Sequence, residues 1–278
     1  MQSISIRMYY KALPLLGALL IFSAASAIAG SLTPPGAPAP TMKSLDEVEA
    51  RIPIRPEDIP KVINEPGSYY LTDNIVQAGA GNAITVEASN VTIDLNGFTM
   101  QGPGRDFAGV GSAISVEETS YTIVRNGNIT EWPNSGVFLE GFKSLAENLD
   151  VSLCGTGIAF KSGSVRNCQV EYCRLTGIAT VPFSKGEGVI ENCISNHNVG
   201  QGIDISGSHC IVRNNQCAEN GGSGIVVTGP GHRVEGNNVS NNAALGIQAL
   251  GRSLVIKNSA MNNAGDFSSF QGRLGPII

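Results

Sequence analysis

Gly224-Ile225-Val226-Val227 is one copy of a motif, a glycine followed by a branched aliphatic residue, that returns throughout the centre of the chain. The other copies are Gly136-Val137, Gly157-Ile158, Gly177-Ile178, Gly202-Ile203 and Gly246-Ile247. Successive copies are 21, 20, 25, 22 and 22 residues apart. A nearly constant period of roughly 20 to 50 residues is the signature of a repeat architecture. This unit is too short and too rich in glycine and asparagine for a pair of helices.

A second set of apolar residues repeats with the same period and divides each unit into short strands. These residues are Val124, Ala146, Val165, Ile190, Val212, Val234 and Ile256. Five residues after each comes another apolar residue, with Ser195 as the exception. Alternation with period two is typical of strands. Short strands that return every ~22 residues predict parallel stacking of coils, roughly 4.8 Å apart.

Between these two strands, each unit carries a charged residue that is followed, in nearly every unit, by asparagine. The pairs are Arg125-Asn126, Glu147-Asn148, Arg166-Asn167, Glu191-Asn192, Arg213-Asn214, Glu235-Gly236 and Lys257-Asn258. Asparagine and glycine tolerate the left-handed conformation of a sharp corner, and stacked amides can hydrogen-bond along the coil axis. The alternating charges attract between neighbouring strands only in this register, by roughly 0.2–1 kcal/mol per pair. The pattern predicts a structural charge ladder rather than a polyelectrolyte-binding face.

The repeat resembles that of the right-handed parallel β-helix proteins of the pectin-lyase-like superfamily, in particular their secreted bacterial members. The resemblance runs from about Pro66 to the C-terminus, and 223–227 followed by 234–239 is its clearest example. It implies an all-β, right-handed parallel β-helix solenoid of about eight coils. It implies no single activity, because the superfamily includes lyases, hydrolases, epimerases, phage tailspikes and proteins without known function. The signatures Asn-Thr-Asp, Gly-His-Gly and Asp-Pro-His-Glu do not occur, so no catalytic residue is carried over.

The N-terminus has the features of a secretory signal over residues 1–29. Arg7 and Lys11 precede an apolar run, and Ala27-Ile28-Ala29 fits a cleavage site. A membrane anchor is the alternative. With cleavage, the protein is expected to be secreted, periplasmic or on the cell surface, without stable membrane insertion. Loss of these two positive charges takes the net charge from −5 to −7, which argues against nucleic acid as a partner.

The remainder of the chain divides into a linker region and the solenoid. Residues 30–65 are predicted to be a Pro-rich linker and N-terminal cap. The cap includes a short helix over 41–50, with Ser44 and Glu47 as a capping box. Residues 66–278 are predicted to be the β-helix, with a loop at 101–111 and a C-terminal cap from Asp266 onward.

Three glutamates, Glu87, Glu117 and Glu140, occupy equivalent outward positions on successive coils. Three stacked carboxylates repel one another unless a cation neutralises them, and calcium is bound through such oxygens. They are therefore the candidate metal ligands, with calcium as the candidate cofactor. The alternative is a solvated edge on which the side chains splay apart.

The candidate catalytic residues are Asp204, Lys161, Arg174 and His232. Asp204 is the only acid at its outward position, and Lys161 and Arg174 lie one or two coils away. A lyase needs a base and a cationic group that stabilises an enolate, which these residues could supply. His232 aligns with His209 on the adjacent coil, where the alternative is a pair of turn histidines.

Aromatic and charged residues near the first coils form the candidate carbohydrate-binding patch. It consists of Trp132 and Phe138 with the loop residues Arg105, Asp106 and Phe107. Exposed aromatic rings are common on sugar-binding faces, so these residues are where a glycan is expected.

Six cysteines in a protein expected to be exported suggest disulfides. The repeat is compatible with three pairings: Cys168 with Cys193, Cys154 with Cys173, and Cys210 with Cys217. Stacked reduced cysteines also pack well as small apolar residues, which is the alternative.

Two functions are compatible with these features. The first is an exported protein that binds or processes an extracellular polysaccharide; as an enzyme it would be a polysaccharide lyase or a glycoside hydrolase. The second is a non-enzymatic cell-surface or structural repeat module, which the missing signatures and the neutral charge ladder favour.

Overall fold

The computed structural model describes residues 50–181, 187–270 and 273–274. The signal segment 1–29 and the predicted helix over 41–50 lie outside these residues, except for Ala50, which is not helical. The described chain winds through three ladders of parallel strands, and its one described helix is the 3-10 turn Pro56–Asp58. None of the helical structure described is long and apolar enough to cross a membrane.

Ladder 1 contains the Gly-Ile motif. Its strands are Lys61–Ile63, Ile84–Val86, Ile114–Val116, Ser135–Leu139, Thr156–Phe160, Ile178–Thr180, Ile203–Ser206, Ile225–Thr228, Leu245–Leu250 and Gly265–Phe270. The branched residues of the motif form one buried column, in which Ile203 pairs with Ile225 and Ile225 with Ile247. The glycines are required by close approach between coils, since a Cβ on Gly157 would lie 2.1 Å from Val170.

Ladder 2 follows ladder 1 along each coil. Its strands are Ile52–Ile54, Gly67–Leu71, Val91–Asp94, the first half of Ile123–Thr130, the first half of Ser144–Ser152, Ser162–Arg166, Glu187–Glu191, Ile211–Arg213, Arg233–Glu235, Leu254–Ile256 and Arg273–Leu274.

Ladder 3 completes each coil. Its strands are Ile75–Val76, Thr99–Gln101, the second halves of Ile123–Thr130 and Ser144–Ser152, Gln169–Glu171, Ile194–Asn196, Gln216–Ala218, Asn238–Ser240 and Ser259–Met261. Apolar residues from all three ladders alternate inward and meet in one continuous core.

The solenoid extends further than the sequence pattern predicted at both ends. Parallel pairing begins at Ile52, which pairs with Tyr69, rather than at Pro66. At the other end Gly265–Phe270, predicted as part of a cap, is the last strand of ladder 1. The ten strands of ladder 1 therefore define about nine turns, one more than expected.

The corner between ladders 2 and 3 confirms the predicted left-handed asparagines. The residues at this corner have φ between 51° and 66°: Asn126, Asn148, Asn167, Asn192, Asn214 and Gly236. The last coil departs from the prediction, because Glu235 pairs with Ile256. Lys257, at φ 54°, therefore takes the corner instead of Asn258. The predicted register of the last coil was wrong by one residue, since that coil is one residue shorter.

The charge ladder also forms, on the outward side of ladder 2. The Glu191 carboxylate lies 2.9 Å from Arg166 Nε and accepts a 2.7 Å hydrogen bond from Arg213 Nε. Further along, Glu235 lies 3.8 Å from Lys257 on the next coil and accepts a 2.7 Å hydrogen bond from Arg233 on its own strand. Near the N-terminal end Asp94 lies 3.2 Å from Arg125. Ion pairs thus join neighbouring strands at Asp94, Glu191 and Glu235, whereas Glu147 of the predicted ladder has no ion pair within the described residues.

Two buried columns of asparagine hold the corners of the later coils, and the sequence analysis missed them. One column consists of Asn198, Asn220, Asn242 and Asn263, and the other of Asn215, Asn237 and Asn258. In the earlier coils the same two columns are occupied by cysteines: Cys154 and Cys173, and Cys168 and Cys193.

All six cysteines are buried thiols, so none of the three predicted disulfide pairings is present. The thiols replace the asparagine amides as weak donors: Cys193 Sγ lies 3.6 Å from Val165 O, and Cys168 Sγ lies 3.7 Å from Ala146 O. The cysteines are instead reduced and stacked as small buried residues, which was the alternative to disulfides.

Candidate functional site

The outward side of ladder 1 is a long strip of aligned side chains. One outward column contains Val62, Thr85, Ser115, Phe138, Ala159, Ala179, Asp204, Val226, Gln248 and Ser268. A second column, two residues further along each coil, begins with Glu87, Glu117, Glu140 and Lys161. Most side chains of the first column are small or uncharged, and Asp204 is its one ionisable residue.

Asp204 is held on the strand Ile203–Ser206 between two buried isoleucines that fix its outward direction. Its neighbours in the column are Ala179 and Val226, which offer no hydrogen bond to a carboxylate. Within the described residues Asp204 has no ion pair and no side-chain hydrogen bond. Burial raises the pKa of this carboxyl above its ordinary value, because desolvation disfavours the charged form.

Neither of the two cations predicted to serve Asp204 forms an ion pair with it in the described chain. Lys161 Nζ lies 2.9 Å from Glu118 Oε1 and 4.9 Å from the centre of the Phe142 ring, on the side of the earlier coils. Arg174 is exposed at the corner between ladders 3 and 1, where its backbone N–H bonds Cys154 O. The predicted catalytic cluster is therefore not assembled, because the spacing set the coil of each residue but not the direction of its long side chain.

His232 is buried, and both of its ring nitrogens contact backbone atoms. Only 1% of its surface is exposed, and Nδ1 accepts a 3.3 Å hydrogen bond from the backbone N–H of Cys210. Nε2 lies 3.3 Å from Thr228 O, so the tautomer with hydrogen on Nε2 satisfies both contacts. Burial lowers the pKa of His232, and the nearby His209 lowers it further. The ring lies inside the solenoid, away from the outward strip that contains Asp204, and a catalytic role of His232 stays a prediction.

The three candidate metal ligands are in register, as predicted, but do not gather into a metal site. The backbone N–H of Glu117 bonds Val86 O and that of Glu140 bonds Val116 O, which places the glutamates on successive rungs. Over residues 50–181, 187–270 and 273–274, no group of three His, Cys, Asp or Glu side chains is arranged to hold a metal ion. Glu87 and Glu117 are exposed and Glu140 is partly exposed, as on a solvated edge.

The predicted aromatic patch is dispersed. Trp132 is fully buried, and its indole N–H donates to Met100 O at 3.2 Å. Phe138 points outward from ladder 1 and is half-buried, whereas Arg105 lies at another corner and donates to Tyr172 O at 2.7 Å. Asp106 is 3.8 Å from Arg105 with a largely exposed side chain. The prediction that Trp132 is exposed was wrong. Trp132 occupies the same position on its coil as the buried Cys154, and this alignment could have indicated that Trp132 is buried too.

A stacked pair of rings at the corner between ladders 3 and 1, one exposed and one half-buried, was not predicted. The Tyr172 and His197 rings stack with centroids 5.0 Å apart and planes 4° from parallel. His197 Nδ1 lies 3.4 Å from Glu219 Oε2 on the next coil. Tyr172, His197 and Glu219 each have a positive φ, between 54° and 57°. Their equivalent corner positions on successive coils could have predicted that their side chains stack.

The three ladders, the single core and the left-handed corners define a parallel β-helix. The family model described as "Right handed beta helix region" matches residues 112–265, which is more than half of the chain. The chain therefore belongs to the right-handed β-helix family. No curated protein sequence matches it.

Solved structures that share this fold are similar to the chain at low sequence identity. The Dettilon tailspike protein is 12% identical with a TM-score of 0.54, and the match covers 77% of this chain and 54% of the tailspike. The A-module of a mannuronan C-5 epimerase from Azotobacter vinelandii is 13% identical with a TM-score of 0.50, covering 81% of this chain and 89% of that module. This chain thus spans about half the length of the tailspike. At such identities the similarity shows the fold alone.

Proposed function

We propose that this is an exported protein that binds or processes an extracellular polysaccharide along the outward side of ladder 1. The observation that carries the proposal is Asp204, a partly buried carboxyl between Ala179 and Val226 without a protein partner in the described chain. Burying a carboxylate without a partner costs stability. Groups with perturbed pKa values that the fold does not use are enriched at functional sites.

The shape of the strip favours a polymer as the ligand. Its columns repeat one residue per coil at roughly 4.8 Å, which suits an extended chain of repeating units. The epimerase with the same fold is named for mannuronan, a polysaccharide, which supports the ligand class. As an enzyme, this protein would be a polysaccharide lyase or glycoside hydrolase, with Asp204 transferring a proton.

The second candidate is a non-enzymatic surface or structural module. This candidate is favoured by the ion pair between the Lys161 ammonium and Glu118, because that ammonium is then not available to Asp204. Without that cation beside Asp204, the group that would stabilise an enolate is missing from the described face. Binding without turnover is the outcome that this candidate expects.

Export of the protein and its binding to a polysaccharide are tested in one experiment. The full chain is expressed in a bacterial host, and the N-terminus of the exported product is sequenced; we expect it to begin at Gly30. Recovery of uncleaved protein in the cytoplasm would contradict export. The exported protein is then screened on a polysaccharide array with calcium and with a chelator.

The decisive comparison is between Asp204→Asn and Asp150→Asn. Both aspartates point outward with pKa values raised by burial, but Asp150 lies on ladder 3. We expect Asp204→Asn to weaken glycan binding by about tenfold or more, as for loss of one charged hydrogen bond, and Asp150→Asn to leave it unchanged. Equal effects, or no glycan binding at all, would overturn the proposal. Loss of binding in chelator alone would direct attention to Glu87, Glu117 and Glu140.

A further inference from the structure

A second concave surface lies on the outward side of ladder 2, away from the strip on ladder 1. This notch is an open groove of about 380 Å³ lined by Lys143, Ser162, Ser164, Arg166 and Glu187, with Leu145 and the backbone of Gly163 and Gly188. Its volume is within the range of small-molecule sites, roughly 300–1,000 Å³. None of the residues predicted from sequence to bind a ligand lines it.

The notch exists because one rung carries two small side chains. On the neighbouring rungs the outward column through Ser164 contains larger residues: Thr92, Ile123, Leu145, Val189, Ile211, Arg233 and Leu254. The column has one other serine, Ser68, four rungs away. In the adjacent column, Ser162 pairs with Glu187 on the next rung. The floor is packed backbone, since a Cβ on Gly163 would lie 1.9 Å from Ser144 O.

The Arg166 end of the notch has unused capacity to bind an anion. Arg166 Nε lies 2.9 Å from Glu191 Oε1 without an aligned hydrogen bond. Glu191 is shared, because it accepts a 2.7 Å hydrogen bond from Arg213. One carboxylate therefore faces two guanidinium groups, and the side chain of Arg166 makes no aligned hydrogen bond within the described chain. A planar guanidinium with free donors is suited to a carboxylate ligand.

The opposite end of the notch is suited to hydroxyl groups. Lys143 and Glu187 flank Ser162 on the two neighbouring rungs, so donors and acceptors lie side by side. The Lys143 ammonium lies 3.0 Å from Tyr121 Oη, a neutral partner, and has no carboxylate partner in the described residues. Neither serine hydroxyl has a hydrogen-bond partner there either.

We propose that the ladder 2 notch binds a small polyhydroxylated carboxylic acid. Its carboxylate pairs with Arg166, and its hydroxyls bond Ser164, Ser162, Lys143 and Glu187. The site lies on a different face from Asp204, so the proposal goes beyond polysaccharide binding on ladder 1.

The probe is D-glucuronate, titrated into the exported protein by calorimetry, with D-glucose and acetate as comparisons. We expect saturable binding of glucuronate and weaker binding of glucose and acetate, because each lacks one half of the recognition. Acetate binding as tightly as glucuronate would reduce the notch to a general anion site and overturn the proposal. Failure of glucuronate to saturate would do the same.

Matched variants locate the ligand. Arg166→Gln and Arg213→Gln each remove one arginine from Glu191, but only Arg166 lines the notch. We expect about a tenfold loss of affinity in the first, as for a charge-assisted pair, and less than about twofold in the second. Ser164→Leu fills the notch with a residue that Leu145 shows to be tolerated in this column, and Thr92→Leu is its control. Equal effects within either pair would refute the site.

The two proposed sites can be refuted independently of each other. Asp204→Asn is expected to leave glucuronate binding at the notch unchanged, and Ser164→Leu to leave glycan binding on ladder 1 unchanged. Glucuronate binding that is lost in Asp204→Asn but retained in Ser164→Leu would place the acid on ladder 1. That result would overturn the notch while supporting the proposed function.

Discussion

Asn215 and Cys193 share one corner position on neighbouring coils, and the amide oxygen of Asn215 accepts the backbone N–H of Cys193 at 2.9 Å. Asn237 serves Asn215 in the same way, also at 2.9 Å. The asparagine column therefore begins where the cysteine column ends. An amide both donates and accepts, whereas a thiol is a weak donor, so the later coils are joined at this corner by stronger bonds.

The buried asparagine column is expected to contribute strongly to stability. Asn237 accepts from both the backbone and the side chain of Asn215 and donates to Val212 O at 2.9 Å. Asn237→Ala leaves these buried groups unpaired and is expected to cost about 2 kcal/mol or more. Urea unfolding followed by circular dichroism measures the loss.

The control is Asn214→Gly, at an exposed corner position that Gly236 occupies on the next coil. It should change the free energy of unfolding by less than about 0.5 kcal/mol. Equal losses in the two variants would show that the buried hydrogen bonds do not carry the stability.

The six cysteines are expected to resist alkylation in the folded protein. Burial raises the pKa of Cys173 to about 12 and that of Cys210 to about 11, and it raises the pKa values of Cys154 and Cys217 as well. Thiolate is the reactive form, so these four thiols should stay protonated at pH 9. The hydrogen bond between the other two raises the pKa of Cys168 and lowers that of Cys193, and burial of the Cys193 side chain keeps a reagent away from it. A thiol reagent should detect none in the native state and all six after denaturation.

A cysteine introduced at the exposed Ser259 supplies the positive control, since it should react at once. Detection of fewer than six thiols in the denatured, unreduced protein would reveal a disulfide and contradict the arrangement of buried thiols.

Acidification is expected to destabilise the fold through His232. The folded-state pKa of His232 is lowered by burial, so the unfolded chain binds this proton more readily. The stabilising contribution of the neutral ring is complete above the unfolded pKa of about 6.5. It decreases as the pH falls from there toward the lowered folded value. The melting temperature should therefore drop between pH 7 and pH 5.

His232→Gln should flatten this part of the profile, while His209→Gln, at the exposed neighbouring corner, should retain most of it. A wild-type slope that survives in His232→Gln would assign the effect to other groups.

Asp204 is expected to reduce stability at neutral pH. Its pKa is raised by burial, so the folded state binds the proton more tightly than the unfolded chain. Stability from this group is present at low pH and is lost as the pH rises through the raised value. Asp204→Asn should therefore melt at a higher temperature than the wild type at pH 7, and the difference should shrink toward pH 4. A difference independent of pH would contradict this account.

Much of the fold follows from the period of the sequence. Gly224 and Ile225 repeat because each coil must approach its neighbour closely at the glycine and bury the following aliphatic residue. Asn126 and its equivalents repeat because the corner needs a positive φ. These are properties of the backbone and of one covalent position, so the sequence alone determines them.

The candidate site depends on the directions of side chains, which the spacing of residues in the sequence does not determine. Spacing placed Glu117 beside Glu140 and Asp204 on the outward face, both correctly. It could not predict the direction of the flexible Lys161 side chain, whose ammonium contacts the Phe142 ring and Glu118 instead of Asp204. The notch also escaped notice, because it arises from the absence of bulk at Ser162 and Ser164.

The sequence by itself determined the repeat, the parallel stacking, the corner residues and the charge ladder that pairs Glu191 with its arginines. Only the tertiary structure decided that Trp132 and His232 are buried and that Cys168 and Cys193 remain thiols. The reason is physical: periodicity sets where each Cα lies on its coil. Rotation about side-chain bonds and competition among neighbours determine where the functional atoms of each residue go.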